Sequence, residues 1–180
     1  FDPHDHYRMM KTNVEGTANV VNTALEKCIR KLCYASSIAA LGESIGGEEI
    51  TEDTIWKSAP KNSNYSISKY AAEREVWRGI EEGLNAVIVN PSVIIGPDDW
   101  TKGSSKMIAL ACNGLKFYSR GMNGFVDVRD VSKAMIQLMN SNIANERFIV
   151  SAENSSFRTF FDIAHEEFNN KKPFIKVGKV

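Results

Sequence analysis

Apolar residues in the first part of the chain recur with a helical period. From Tyr7 to Cys28, Met10, Val14, Ala18, Val21 and Leu25 follow at spacings of four, four, three and four. That pattern predicts a helix of about six turns with one apolar face. Asn13 lies off this stripe. Gly16 inside the helix costs roughly 1 kcal/mol of propensity against Ala, which points to a close packing contact. Lys31 to Ala35 is a short apolar run and reads as a buried strand ending in Ser36-Ser37. The polar stretch from Glu48 to Asn64, with Pro60, has the length of a loop that covers a site.

Ser63 or Asn64 caps the next predicted helix, whose apolar positions include Ile67, Tyr70, Ala71, Trp77 and Ile80, and Gly83 ends it. Ala86-Val87-Ile88-Val89 is uncharged and reads as a strand covered on both faces. Pro91 cannot donate to a ladder and takes the chain out of that strand. Gly96-Pro97-Asp98-Asp99 signals a turn, and Ser104 or Ser105 opens a helix through Cys112. Phe125-Val126-Asp127-Val128 is strand-like. Asp130 caps a helix carrying Val131, Ala134, Met135, Leu138 and Met139. Phe148-Ile149-Val150 is a third strand and Phe157 to Phe168 a last helix. Helix and strand alternate throughout, which predicts an α/β fold with parallel strands.

Composition narrows the class. With 180 residues and 43% hydrophobic content the chain can bury one sizeable core. Its 22 basic and 22 acidic residues cancel, so no field favours nucleic acid or an anionic membrane. No apolar run reaches membrane-spanning length. Cys28, Cys33 and Cys112 are odd in number and lack Cys-x-x-Cys spacing; buried, reduced thiols in a cytoplasmic protein are the expectation. Asp2, His4, Asp5 and His6 have metal-ligand chemistry, but only His165 adds another histidine, in a late helix, so no metal site is expected. The start, Phe1 to His6, is no signal peptide and has no initiator Met, and the chain reads as cut at its front.

The candidate chemistry lies between Lys31 and Lys69. Ser36-Ser37 sits at the carboxyl end of a strand, the edge at which open parallel sheets bind ligands. Gly42, Gly46 and Gly47 follow without the Gly-Lys-Ser/Thr of a phosphate loop. Tyr65 and Lys69 then share one helix face at i, i+4. An ammonium beside a phenol favours phenolate and brings its proton towards the working range of an acid or base. Ser37 can hold a substrate oxygen in line with the phenol, and Asn13 can support a water or backbone link to Lys69. Spacing alone does not decide, since Tyr7/Lys11 has the same interval. The alternative makes Tyr65 a core-edge aromatic, Lys69 a solvated charge and Ser36-Ser37 a strand terminator.

Five segments, taken together, resemble the extended branch of the short-chain dehydrogenase/reductase superfamily, which includes the NAD-dependent epimerases and dehydratases. They are Asn13-Val14-Glu15-Gly16-Thr17-Ala18-Asn19-Val20, Tyr34-Ala35-Ser36-Ser37, Tyr65 to Glu73, Asn90 to Pro97, and Phe125-Val126-Asp127-Val128-Arg129-Asp130-Val131. The Asn-Pro-Ser wording and the Phe-Val-Asp-Val-Arg-Asp segment are most similar to dihydroflavonol-reductase-like members. The resemblance implies a Rossmann-like parallel sheet with flanking helices. Residues 1–150 would be the C-terminal half of the dinucleotide-binding domain, with 96–125 on the substrate side, and 151–180 the start of a substrate-binding portion.

The resemblance also implies NAD or NADP as cofactor and Asn13, Ser37, Tyr65 and Lys69 as catalytic residues. Tyr65 would be the acid/base, Lys69 would tune it and hold the nicotinamide ribose, and Pro91, Ser92 and Val93 would meet the nicotinamide end. The activity implied is hydride transfer to or from a carbonyl or alcohol carbon. Nucleotide-sugar epimerisation or dehydration on the same scaffold is the second reading, and a non-catalytic dinucleotide-binding sensor or scaffold the third. A homodimer through the helices Tyr7 to Cys28 and Asn64 to Gly83 is expected, with Tyr70 and Trp77 either its anchors or packed equally well within the one chain. The family's first strand, Gly-rich turn and helix have no counterpart here, so a missing front on the order of 80 to 100 residues is expected. A truncated C-terminal substrate domain is expected too, with faces left exposed that could drive association.

Overall fold

The uncharged run from residue 86 onwards forms the middle strand of a parallel sheet in the computed structural model, which describes residues 6–42, 49–119 and 121–178. The chain opens with α1 (His6–Met10), a π-helical turn (Lys11–Glu15) and α2 (Gly16–Glu26). Next come β1 (Leu32–Ala35), a 3-10 turn (Ile38–Ala40), α3 (Asn64–Glu81), β2 (Ala86–Pro91) and β3 (Val93–Ile95). Then follow α4 (Ser105–Cys112), β4 (Phe117–Tyr118), β5 (Met122–Asp127), α5 (Val128–Asn140), β6 (Glu146–Val150), β7 (Glu153–Ser156), α6 (Phe157–Glu167) and β8 (Ile175–Lys176). Contacts divide the chain into two compact units: residues up to Pro91 with Lys133–Val150, and Ser92–Ser132 with Ser151–Val180. Asp2, His4, Asp5, Gly46, Gly47 and Glu48, weighed above, lie outside the described residues.

In the first unit the strand order is β1-β2-β6, all parallel, with Leu32 opposite Ala86 and Val87 opposite Glu146. Flanked on both edges, β2 is buried at every position, as its uncharged run predicts. Pro91 does not leave the strand but closes it, opposite Val150, where a ladder survives the missing N–H at its last rung. β1 is half-buried rather than buried, because among the described residues it pairs on one side only. Val21 and Ala24 of α2, Val76 of α3, Leu84, Ala86 and Ile88 form the core.

The predicted first helix is interrupted. Gly16 N–H bonds the carbonyls of Lys11 and Asn13, the wide turn of a π-helix. The inward line becomes Asn13, Thr17, Val21 and Ala24, so Asn13 is not off the stripe. A Cβ on Gly16 would meet nothing within 4 Å. The close approach lies instead at Gly79 of α3, where a Cβ would fall 2.5 Å from Val21 Cγ1 and 3.2 Å from Leu84 Cδ2. Ser63 caps α3, its hydroxyl accepting from Ser66 N at 3.1 Å, and Gly83 follows its end at φ +101°. Lys31, read as the start of a strand, donates from its buried ammonium to the carbonyls of Leu138 in the last turn of α5 and of Ser141 and Ile143 just past it.

The polar loop is pinned to β6. Arg147 donates to the carbonyls of Glu52 (2.7 Å) and Thr54 (3.3 Å), and Ile149 N donates to Glu52 Oε1 at 2.8 Å. Trp56 stacks on Tyr70 with centroids 4.5 Å apart.

In the second unit β3 and β5 are parallel and β7 joins β5 antiparallel, while β4 and β8 form a separate pair. Phe125 stacks on Phe160 and meets Phe157 edge-on. α5 starts three residues before a cap at Asp130 would allow, because Asp127 takes that role and accepts from Arg129 N at 2.7 Å. The three thiols are unpaired but not buried: Cys28 occupies a positive-φ turn after α2, Cys112 the end of α4, and both are exposed. Among the described residues no helix is long and apolar enough to cross a membrane.

The two helix glycines should respond in opposite senses. Gly79→Ala forces Val21 to move and should cost about 1–3 kcal/mol in urea unfolding. Gly16→Ala, at an ordinary helical φ of −59° and facing open space, should be neutral or stabilise by up to about 1 kcal/mol.

Candidate active site

α3 carries Tyr65, Lys69 and Glu73 at successive intervals of four, so the three side chains stack along one face. Lys69 sits at the carboxyl end of β1: its Nζ donates to Ala35 O at 3.0 Å and lies 5.1 Å from the centre of the Tyr34 ring. It is half-buried rather than a freely solvated charge. Tyr65, also half-buried, is near enough to Tyr34 to act on it electrostatically.

Ser37 follows the strand end two residues beyond Ala35. Its extended backbone (φ −163°, ψ 152°) aims Oγ at Ala39 N, which donates to it at 3.2 Å and starts the 3-10 turn. Its carbonyl accepts from Asn90 Nδ2 at 3.0 Å. Asn13 reaches α3 through a neighbour of Lys69: Nδ2 donates to Ser68 Oγ at 3.0 Å, and Ser68 donates on to Tyr65 O at 2.8 Å. Thr17 donates to Asn13 O at 2.6 Å and lies 3.3 Å from the Tyr34 hydroxyl. Asn13 thus supports the turn between Tyr65 and Lys69.

Burial pushes the Lys69 ammonium below the ordinary lysine value, and the nearby Glu73 carboxylate opposes that shift. Burial likewise raises the Tyr34 phenol; the Thr17 hydrogen bond lowers it, and Glu73 and Tyr65 raise it further.

Sequence reasoning missed the group beneath this face. Glu73 is only 2% exposed. Its Oε2 accepts from Ser36 Oγ at 2.5 Å and Asn90 Nδ2 at 2.7 Å. Its Oε1 accepts from Arg147 Nη1 at 3.1 Å and Trp77 Nε1 at 3.3 Å. The sequence signal was Asn90, a polar residue at the end of an otherwise apolar buried strand.

Of the residues assigned to the nicotinamide end, Pro91 closes β2 and is buried. Ser92 and Val93 continue into the second unit, where Ser92 Oγ is buried without a partner among the described residues and a Cβ on Gly124 would lie 2.9 Å from Ser92 Cβ. Tyr7 and Lys11 are both exposed. Tyr70 stacks on Trp56 and Trp77 bonds Glu73, so both proposed dimer anchors are engaged within the chain. Among the described residues no cluster of three or more potential metal ligands occurs.

A parallel sheet flanked by helices, with polar side chains gathered at the strands' carboxyl ends, defines a Rossmann-like α/β protein. Residues 3–151 match the NAD dependent epimerase/dehydratase family, and the chain belongs to that family. It is 31% identical over 192 residues to the NADPH-dependent methylglyoxal reductase of Saccharomyces cerevisiae, covering 92% of this chain and 56% of that protein. Plant cinnamoyl-CoA reductases and dihydroflavonol-reductase-like proteins are among its other relatives. The crystal structure of gox2253 superimposes with a TM-score of 0.86 at 34% identity, over 98% of this chain and 53% of that one. The UDP-glucose 4-epimerase of Thermotoga maritima, solved with UDP-glucose, gives 0.83 at 20% identity, over 98% and 60%, and shares the fold. The chain spans about half the length of the curated relatives it matches.

The depressed Lys69 value sets the sign of a pH effect. Between the folded and unfolded values the unfolded state holds the extra proton, so stability rises with pH in that window. Urea unfolding of wild type and Lys69→Met on approaching the lysine range from pH 7 should show the wild type gaining stability relative to the variant.

Proposed function

We propose that the intact protein is an NAD(P)-dependent oxidoreductase acting on a carbonyl or alcohol carbon, with Tyr65 as the acid/base. The observation that carries this is the half-buried Lys69 ammonium, held by Ala35 O at the strand's carboxyl end on the same helix face as Tyr65. From that face Tyr65 exchanges a proton with a substrate oxygen, with Lys69 one turn along the same helix. The Ser37 hydroxyl, one bond rotation from its present acceptor role, holds that oxygen; Asn13 stiffens the Tyr65–Lys69 turn through Ser68. The donor set suits NAD or NADP, with Lys69 facing the ribose hydroxyls and Pro91, Ser92 and Val93 the nicotinamide end. When bound, the nicotinamide supplies or takes the hydride.

Residues up to Pro91 and Lys133–Val150 serve the cofactor in this reading, with Ser92 and Val93 at its nicotinamide end, while the rest of Ser92–Ser132 and Ser151–Val180 serve the substrate. This redraws the 1–150/151–180 division suggested by sequence. A homodimer would use the outward faces of α2 and α3, where Val20 is 54% exposed, rather than Tyr70 and Trp77. Reductase chemistry is preferred to nucleotide-sugar epimerisation because a named reductase is related at 31% identity, whereas the epimerase likeness at 20% speaks for the fold alone.

Tyr65→Phe in the intact protein should lower NADPH-dependent reduction of methylglyoxal, used as a probe carbonyl, by roughly 10² to 10⁴. A loss smaller than about tenfold would count against Tyr65 as the proton donor.

A further inference from the structure

A carboxylate with almost no exposure, set one turn beyond Lys69, needs a reason to be there. Burying a charge costs several kcal/mol unless it is paired and its lone pairs are filled. Glu73 meets that condition with four donors drawn from α3 itself and from the ends or edge of all three strands of its sheet. The pairing with Arg147 alone would neutralise it; the other partners have a directional consequence. Ser36 donates to Oε2 through its hydroxyl, and Asn90 spends one amide proton on that same oxygen and the other on the Ser37 carbonyl. Both residues of the Ser-Ser pair are thereby tied to the helix that bears Tyr65 and Lys69. Asn90 carries a cost in this arrangement, since its own Oδ1 is left buried without a partner among the described residues.

Resting on the reading of Tyr65, Lys69 and Ser37 given above, we propose that Glu73 is a positioning residue: through Ser36 and Asn90 it holds the Ser37 peptide in fixed register with α3. A second effect reinforces the first. Facing Lys69 are the Tyr34 ring from β1 and Glu73 from its own helix, with Tyr65 one turn earlier on the same helix face, and Glu73 in turn pairs with Arg147 from β6. Glu73 is the anionic member of that group, and it keeps Lys69 charged against burial.

The test uses the intact protein with Glu73→Gln, which removes the charge, and Ser36→Ala, which removes one donor and keeps a folded variant in hand. With methylglyoxal and NADPH as probes, kcat should fall about 10²-fold in Glu73→Gln and about tenfold in Ser36→Ala, a loss of alignment rather than of binding, with KM for NADPH changed by less than about threefold. The alkaline limb of kcat should move to lower pH in Glu73→Gln, because the lost anion and the uncompensated Arg147 both disfavour the Lys69 ammonium. Normal kcat and an unmoved limb in both variants, with Tyr65→Phe inactive, would overturn the role of Glu73 and leave the Tyr65 reading standing. Full activity of Tyr65→Phe would overturn that reading itself. Amide hydrogen exchange needs no substrate and decides the link in either case. The amides at positions 36 and 39 should exchange about tenfold faster in Ser36→Ala than the variant's loss of global stability alone accounts for, and exchange there that merely follows global stability contradicts the proposal.

Discussion

One buried carboxylate ties α3 to all three strands of the first unit's sheet. Glu73 is retained in the interior only while Ser36, Asn90, Trp77 and Arg147 all reach it, and these four stand after β1, at the end of β2, on α3 and on β6. Removing one partner of such a pair leaves an uncompensated charge, typically worth about 3–5 kcal/mol. The carboxyl ends of two strands and the rotation of α3 are therefore coupled. The shared anion ties the carboxyl ends of β1 and β2 to each other and to β6, and those carboxyl ends are where Ser37 and Lys69 lie.

The apolar contacts set the distance at which that coupling works. α3 buries Ser68, Ala72, Glu73, Val76 and Gly79, a stripe of small and polar residues rather than large ones. Small residues let the helix lie close to α2 and the sheet, with Gly79 against Val21 the tightest point. A helix held further out could not deliver Glu73 to Ser36 or Lys69 to Ala35 O. On the facing side, the π-helical turn at Lys11–Glu15 brings Asn13 inward to Ser68, which anchors the turn between Tyr65 and Lys69 from behind. Packing and polar network thus converge on the same two turns of α3.

How much of this the sequence carried can be argued residue by residue. The parallel core was legible because β2 has no charge across Ala86 to Val89, and a run of that kind needs cover on both faces. The start and end of α3 were legible in Ser63 and Gly83, which act through local hydrogen bonds and a positive φ. The π-helical turn was not, since nothing in Lys11 to Glu15 breaks a regular helical period. Nor was the inward face of α3: Ile67, Tyr70, Ala71, Trp77 and Ile80 drew attention as apolar, while the buried line passed through Ser68 and Glu73. Burial of those two is decided by partners far along the chain, at Asn13, Ser36, Asn90 and Arg147. The strands β4, β7 and β8, of two to four residues, were invisible because segments such as Glu153 to Ser156 have no apolar alternation to read.

The Ser36–Glu73 contact joins strand end to helix. A double-mutant cycle on unfolding free energy, with Ser36→Ala, Glu73→Gln and the pair together, isolates that contact. A hydrogen bond to a buried charge predicts a coupling of about 1.5–3 kcal/mol. Additive losses, within about 0.5 kcal/mol, would contradict the account.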